Sequence, residues 1–133
     1  MKSWEWTDWL LEVWGAVGAR KVELGSEDAL ADWEMLLSIL GWTEYCISNA
    51  GDFANMEDVR PGFQRDATEI AGKLSLPLTR ELFSQSESSL LENFDGSFDD
   101  VCFEIANFIG TLPESGSVGD VSRLWAEKCL KKS

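Results

Sequence analysis

The chain has 133 residues, and a content of 44% hydrophobic and 26% charged residues argues against a disordered or membrane-spanning protein. Its 24 acidic and 11 basic residues give a formal net charge of -13, which argues against direct binding to nucleic acid because phosphate contacts need clustered lysine and arginine. The chain contains no histidine, so the usual catalytic base and a common metal ligand are both missing.

Helical periodicity begins at the N-terminus, where Ser3 is a candidate N-cap. The apolar residues that follow have the spacing of one helix face: Trp6, Trp9, Leu10, Val13, Trp14 and Val17. Residues 20–25 are predicted to form a connector. Ser26 is then predicted to cap a second helix, which Gly41 ends, and Thr43 to cap a short third helix ending near residues 49–51.

The middle of the chain is less regular. Residues 52–60 are the least periodic part and are predicted to form a loop. Pro61 is predicted to lie in the first turn of a fourth helix, which stops before Pro77. Thr79 is predicted to start a fifth helix that reaches Phe94, although its serine-rich middle favours helix poorly.

The last third of the chain predicts two further helices. Ser97 and Asp100 have the spacing of a capping box, which predicts the start of a sixth helix ending at Gly110. A loop over residues 111–119 precedes a final helix over 121–130. The sequence therefore predicts an all-α fold: a compact, single-domain bundle of six or seven short helices spanning residues 1–133.

The cysteines indicate the compartment. Cys46, Cys102 and Cys129 are odd in number, widely spaced and flanked by apolar residues. This pattern is typical of reduced, packed thiols rather than a disulfide framework, so we expect a cytoplasmic protein.

The sequence offers little catalytic chemistry. A nucleophile–histidine pair is impossible, no glycine-rich phosphate loop occurs, and no activating partner is evident for the cysteines. We therefore expect no enzyme activity and no cofactor. A catalytic pair of carboxylates or a metal-dependent activity is the third hypothesis for this chain.

One segment has the spacing of a calcium-binding loop. Its oxygen donors stand at positions one, three, five, seven and twelve: Asn93, Asp95, Ser97, Asp99 and Glu104. However, Phe98 occupies position six, where the sharp turn of such a loop requires glycine. We therefore interpret the segment as a turn followed by a helix N-cap and predict no metal site.

The distribution of charge points to a binding surface. Between Arg80 and Arg123 there is no basic residue but nine acidic ones. On the predicted sixth helix, Phe103 lies beside polar residues opposite the apolar stripe. The predicted partner-binding residues of this segment are Glu92, Asp95, Asp99, Asp100, Phe103, Glu104 and Asn107. The alternative is an ordinary solvated face, with Phe103 covered by the last helix.

Tryptophan is also unusually frequent, with seven residues, four of them within the first fourteen positions. Trp4 and Leu11 fall outside the apolar stripe of the first helix. They either widen its buried arc or are exposed, and exposed tryptophan is a preferred anchor at protein interfaces. Trp4 therefore joins the candidate partner-binding residues.

These features favour a small acidic inhibitor that binds a basic protein, such as a toxin or nuclease-like effector, and blocks its active or binding site. Immunity proteins and nucleic-acid mimics act by this physical principle. The alternative is a structural or adaptor domain, in which the tryptophan-rich first helix makes the contact in a homodimer. The sequence predicts neither the partner's identity nor the oligomeric state.

Overall fold

The computed structural model describes residues 2–132, so Met1 and Ser133 of the predicted domain lie outside the described residues. Over this range the chain forms seven α-helices and no strand, which confirms the all-α prediction. The helices are α1 (Trp4–Leu24), α2 (Asp32–Asn49), α3 (Ala54–Val59), α4 (Phe63–Lys73), α5 (Pro77–Phe83), α6 (Glu87–Gly110) and α7 (Gly116–Lys132). A short 3₁₀ helix, Glu27–Ala29, lies between α1 and α2.

The two terminal helices form the most extensive pair in the bundle. α1 packs along α7 and also contacts α2 and α6, while α5 bridges α4 and α6. Trp9 is fully buried in this arrangement, and its indole Nε1 donates a 3.0 Å hydrogen bond to Oγ of buried Ser122 in α7. Because a buried indole N–H needs a partner, this bond fixes the two ends of the sequence against each other.

The first two helices are longer than the sequence predicts. The connector predicted at residues 20–25 is wrong, because α1 continues to Leu24 and ends at Gly25, which has a φ of 80°. Glycine adopts this left-handed conformation without the steric cost of a Cβ atom. Ser26 caps the 3₁₀ turn instead of a long helix, its Oγ accepting a 3.1 Å bond from the Asp28 amide.

Gly41 does not end a helix, which corrects the prediction of separate second and third helices. α2 runs through this position, and the ring of Trp14 from α1 packs directly on the glycine backbone. A Cβ atom at Gly41 would lie 2.3 Å from Cγ of Trp14. The glycine therefore allows α1 and α2 to approach each other closely. In the sequence alone, the same residue resembles a helix stop signal.

The predicted loop at residues 52–60 contains the short helix α3, whose Met56 is buried in the core. Tertiary packing therefore orders a segment that has no clear periodicity. Pro61 and Gly62 form the turn before α4, so the fourth helix begins at Phe63, close to its predicted position.

The boundary between the fifth and sixth helices lies earlier in the chain than predicted. The fifth helix does not continue to Phe94, because α5 ends at Phe83 and α6 begins at Glu87. The Oγ of Ser86 caps α6 by accepting a 3.2 Å bond from the Ser89 amide. The capping box predicted at Ser97 and Asp100 is wrong, since both residues lie in the middle of α6.

The last helix begins earlier than the sequence predicts, at Gly116 instead of residue 121. Its first turn closes through a 3.1 Å bond from the Gly119 amide to the Ser115 carbonyl. Within the part of the chain that the structure describes, none of the helices has the length and hydrophobicity needed to cross a lipid bilayer.

Candidate functional site: the outer face of α6

The candidate site is centred on the solvent side of α6. The inner side is held by seven buried residues: Leu90, Phe94, Phe98, Val101, Cys102, Ile105 and Ile109. Opposite them lies an exposed stripe whose members repeat at helical spacing: Glu92, Gly96, Asp100, Phe103 and Asn107. We call this stripe the α6 outer face. It contains four of the eight predicted partner-binding residues.

Glu104 lies beside this face but points to α5. Its carboxylate accepts 2.9 Å bonds from the backbone amides of Leu78 and Thr79 and a 2.7 Å bond from the Thr79 hydroxyl. These are the first amides of α5, where a negative charge is favoured by the helix dipole. Glu104, one of the predicted partner-binding residues, is therefore not a free surface acid but caps another helix.

Asp99 and Asp95 lie on the opposite border of the face, next to the start of α1. The Oδ1 atom of Asp99 accepts a 2.9 Å bond from the Ser3 amide, which supports the N-terminus of α1. The Nζ atom of Lys2 lies 2.6 Å from Glu44 and 3.8 Å from Asp95. The charges of Asp99 and Asp95 are thus partly compensated within the chain.

Glu92 and Asp100 are the two carboxylates that remain available on the α6 outer face. Both side chains are exposed, and neither has a hydrogen-bond or ion-pair partner among residues 2–132. They are eight residues apart, or about 12 Å along the helix. No basic residue occurs anywhere in α6, so no cation of the same helix compensates either acid.

Phe103 lies on the same face, about one turn beyond Asp100. Its side chain is 43% exposed, so the last helix does not cover it as the alternative interpretation required. The ring lies 6.2 Å from the ring of Trp6 at nearly a right angle, a favourable edge-to-face arrangement that fixes its position. A fixed, half-exposed aromatic ring one turn from the free carboxylate of Asp100 is a suitable contact for another protein.

A groove of about 390 Å³ runs from Phe103 toward the end of α7. Its walls include the charged side chains of Arg123 and Glu127 but are otherwise largely apolar, with Trp6, Ala106, Ala126 and Leu130. The apolar spacing of α1 predicts Trp6 in the core, and no sequence signal marks the other three residues. The small side chains of Ala106 in α6 and Ala126 in α7 create the space, which becomes visible only when these two helices are packed together.

Trp4 lies apart from the α6 outer face. Its side chain is 80% exposed, which fulfils the condition set for an anchor residue. However, Trp6 is the α1 residue that contacts Phe103, and Trp4 projects from nearly the opposite side of α1. The structure therefore assigns Trp4 to a separate surface, on the solvent side of α1.

The segment 93–104 lies inside α6, so its oxygen-bearing residues do not form the loop that calcium coordination requires. Among the described residues, no three His, Cys, Asp or Glu side chains are grouped to hold a metal ion. The interpretation of this segment as a turn followed by an N-cap is wrong, because α6 is continuous through it.

All three cysteines are buried free thiols. Burial, reinforced by nearby carboxylates, raises the pKa of Cys102 well above its usual value and that of Cys129 to about 11. Burial also raises the pKa of Cys46. The thiolate is the nucleophilic form of cysteine, and these environments disfavour it, so none of the three is an activated nucleophile.

Comparison with protein families, characterised proteins and solved structures finds no match to this chain. The candidate site is accordingly assigned from geometry and charge alone.

Proposed function

We propose that this protein is a cytoplasmic inhibitor that binds a basic protein through the α6 outer face and the adjoining groove. One observation carries the proposal: Phe103 is half-exposed between Asp100 and Asn107, at the mouth of an apolar groove, on a helix without a basic residue. A protein interface typically combines such an apolar centre with a polar rim.

The two parts of the surface have different physical roles. The field of a protein with a net charge of -13 attracts a basic partner over distances longer than any contact and accelerates encounter. Glu92 and Asp100 then pair with lysine or arginine of the partner. Phe103 and the groove exclude water and hold the complex, which sets the dissociation rate.

The partner class follows from the charge. A basic surface that tolerates a compact acidic protein in place of a nucleic acid is typical of nucleases and other nucleic-acid-binding effectors. Occupation of that surface would exclude the nucleic acid, and inhibition would need no chemistry from the inhibitor. Three buried free thiols support a reducing compartment, so we place the encounter in the cytoplasm.

The proposal is tested by capture from an extract of the native cell in 50 mM NaCl, followed by identification of the bound proteins. Four forms are compared: wild type, Glu92→Lys/Asp100→Lys, Phe103→Ala, and the control Glu57→Lys/Glu69→Lys. The control reverses two exposed acids on α3 and α4 and changes net charge by the same amount. Glu104 and Asp99 are left intact because their carboxylates hold other helices.

We expect a basic protein that wild type and control retain and that the α6 variants lose. Purified, it should bind nucleic acid or cleave it, and a stoichiometric amount of wild type should abolish that activity. Equal retention by all four forms, or a retained partner whose activity is unaffected by saturating wild type, would overturn the proposal.

A further inference from the structure

The groove beside Phe103 is about two helical turns long. Residues 103–111 of α6 form one wall and residues 123–130 of α7 the other, and on both helices the lining positions recur at helical spacing. Arg123 donates a 3.3 Å bond to the Leu112 carbonyl, so the start of α7 lies beside the end of α6 and the two walls run antiparallel. Each wall is about 11 Å long.

Small residues line the middle of this groove. They are Ala106 and Gly110 on α6 and Ala126 on α7. No atom lies within 4 Å of the site that a Cβ would occupy at Gly110, so the groove is open at this position. Small residues on both walls allow a further helix to approach to the usual axial separation of about 8–10 Å.

The groove offers few partners to the backbone of an extended segment. The described part of the chain has no strand whose edge such a segment could join. The hydroxyl of Thr111 already donates a 2.7 Å bond to the last turn of α6, and Arg123 bonds both the Leu112 carbonyl and Asp120. An extended segment would therefore leave buried N–H and C=O groups unpaired, whereas a helix pairs its backbone internally and needs only an apolar side.

The charges around the groove favour a basic helix. Asp100 lies one turn before Phe103, and Glu127 lines the α7 wall. Both carboxylates are exposed, and neither has a partner among the side chains that the structure describes. Arg123, the basic residue of the lining, already lies 3.4 Å from Asp120. Lysine or arginine on either side of an incoming helix would thus meet an acid, and an acidic helix would be repelled.

We propose that the basic partner binds by laying an amphipathic α-helix into the groove between α6 and α7. Apolar residues at positions i, i+4 and i+7 of that helix fill the groove beside Phe103, and flanking basic residues pair with Asp100 and Glu127. That the partner is a basic protein rests on the proposed function. That its contact element is a helix rests on the length, the small residues and the missing backbone partners of the groove.

A synthetic probe tests the preference for a helix without the native partner. The fluorescein-labelled peptide has 18 residues, long enough to form a helix, with leucine at i, i+4 and i+7, lysine beside that face and alanine elsewhere. A second peptide of the same composition places leucine at i, i+2 and i+4, so its leucines share no helical face. We expect fluorescence anisotropy in 50 mM NaCl to show binding of the first peptide that is about tenfold tighter or more.

Two glycine variants test the location of the peptide. Gly110→Leu places a side chain in the open groove and should weaken binding of the first peptide by about tenfold or more. Gly15→Leu is the matched control, because Gly15 is an exposed glycine of α1 that also has no atom within 4 Å of the new Cβ. This control should leave the affinity unchanged.

The outcomes separate this inference from the proposed function. Equal affinity for the two peptides, no binding of the first peptide up to 1 mM, or equal weakening by the two glycine variants would overturn the helix in the groove. The purified basic partner should also displace the first peptide. A partner that is captured and inhibited but does not displace the peptide would overturn the inference and leave the proposed function intact. Failure to capture any basic protein would overturn the proposed function, and the peptide would still report what the groove prefers.

Discussion

Glu104 and Glu92 lie on the same helix, yet the structure predicts different consequences of removing their charges. Glu104→Gln weakens the three bonds that hold the start of α5, so we expect unfolding free energy to fall by about 1–2 kcal/mol. Glu92→Gln removes an exposed carboxylate that bonds nothing in the described chain, and the change should stay within about 0.5 kcal/mol. Urea denaturation measures both values, and equal losses would show that Glu104 is not a cap.

The buried thiols predict a loss of stability in alkaline solution. Each of the three cysteines has a raised pKa in the folded protein, and that of Cys129 reaches about 11. The unfolded chain, with thiol pKa values of about 8.5, therefore loses protons first as the pH rises. The buried thiols therefore contribute their full stabilisation below about pH 8.5. This contribution is lost progressively as the pH rises above that value.

We expect the urea midpoint to fall between pH 7.5 and 9.5. The fall should be smaller in Cys102→Ala/Cys129→Ala, compared with its own midpoint at pH 7.5. An identical pH dependence in both proteins would contradict buried, protonated thiols at these positions.

At the scale of the helices, glycine has two different roles that substitution can separate. Gly41→Ala would place Cβ against the ring of Trp14, and we expect a loss of about 1–3 kcal/mol from the packing of α1 on α2. Gly96→Ala lies on the exposed side of α6 with no atom within 4 Å of the new Cβ, and should stabilise by about 0.5–1 kcal/mol.

Thermal or urea unfolding of the two glycine variants provides the comparison. If Gly41→Ala were neutral or stabilising, the close contact between α1 and α2 would be refuted. A loss of stability in Gly96→Ala would show that the outer side of α6 is covered, which would also weaken the proposed binding face.

The helices show what the sequence could predict. Apolar spacing identified the inner sides of α1 and α6, and all of the stripe residues from Trp6 to Val17 except Trp14 are buried. The helix boundaries were harder to predict. Gly41 and Ser97 have the local chemistry of a helix stop and an N-cap, but long-range packing overrides both signals. The serine-rich segment near Ser86, by contrast, did mark a real break.

The candidate site was predicted only in outline. Spacing placed Asp100, Glu104 and Asn107 on the outer side of a helix with Phe103 on their flank, and of these Asp100, Phe103 and Asn107 are exposed. It could not show that Glu104 and Asp99 serve other helices, since the amides of Thr79 and Ser3 are 25 and 96 residues away in the chain. The groove was equally hidden, because its walls come from α1, α6 and α7.

For the whole molecule, the net charge of -13 predicts a stability that depends on salt. Raising NaCl from 0.01 to 0.15 M shortens the screening length from about 30 Å to about 8 Å and so reduces repulsion among the acids. We expect Tm to rise, in calorimetry at a protein concentration of a few micromolar. Tetramethylammonium chloride should have the same effect, which separates screening from specific ion binding. An unchanged or lower Tm would mean that the acids are already compensated locally.

The central claim is that the α6 outer face, and not total charge alone, guides the protein to its partner. The association rate constant with the captured basic partner, measured by stopped flow in 20 mM NaCl, tests it most directly. Glu92→Lys/Asp100→Lys should slow association by about tenfold or more, while Glu57→Lys/Glu69→Lys, with the same net charge, should slow it by less than about threefold. Equal slowing by the two variants would contradict the claim, since the α6 outer face would then contribute no more than any other pair of surface acids.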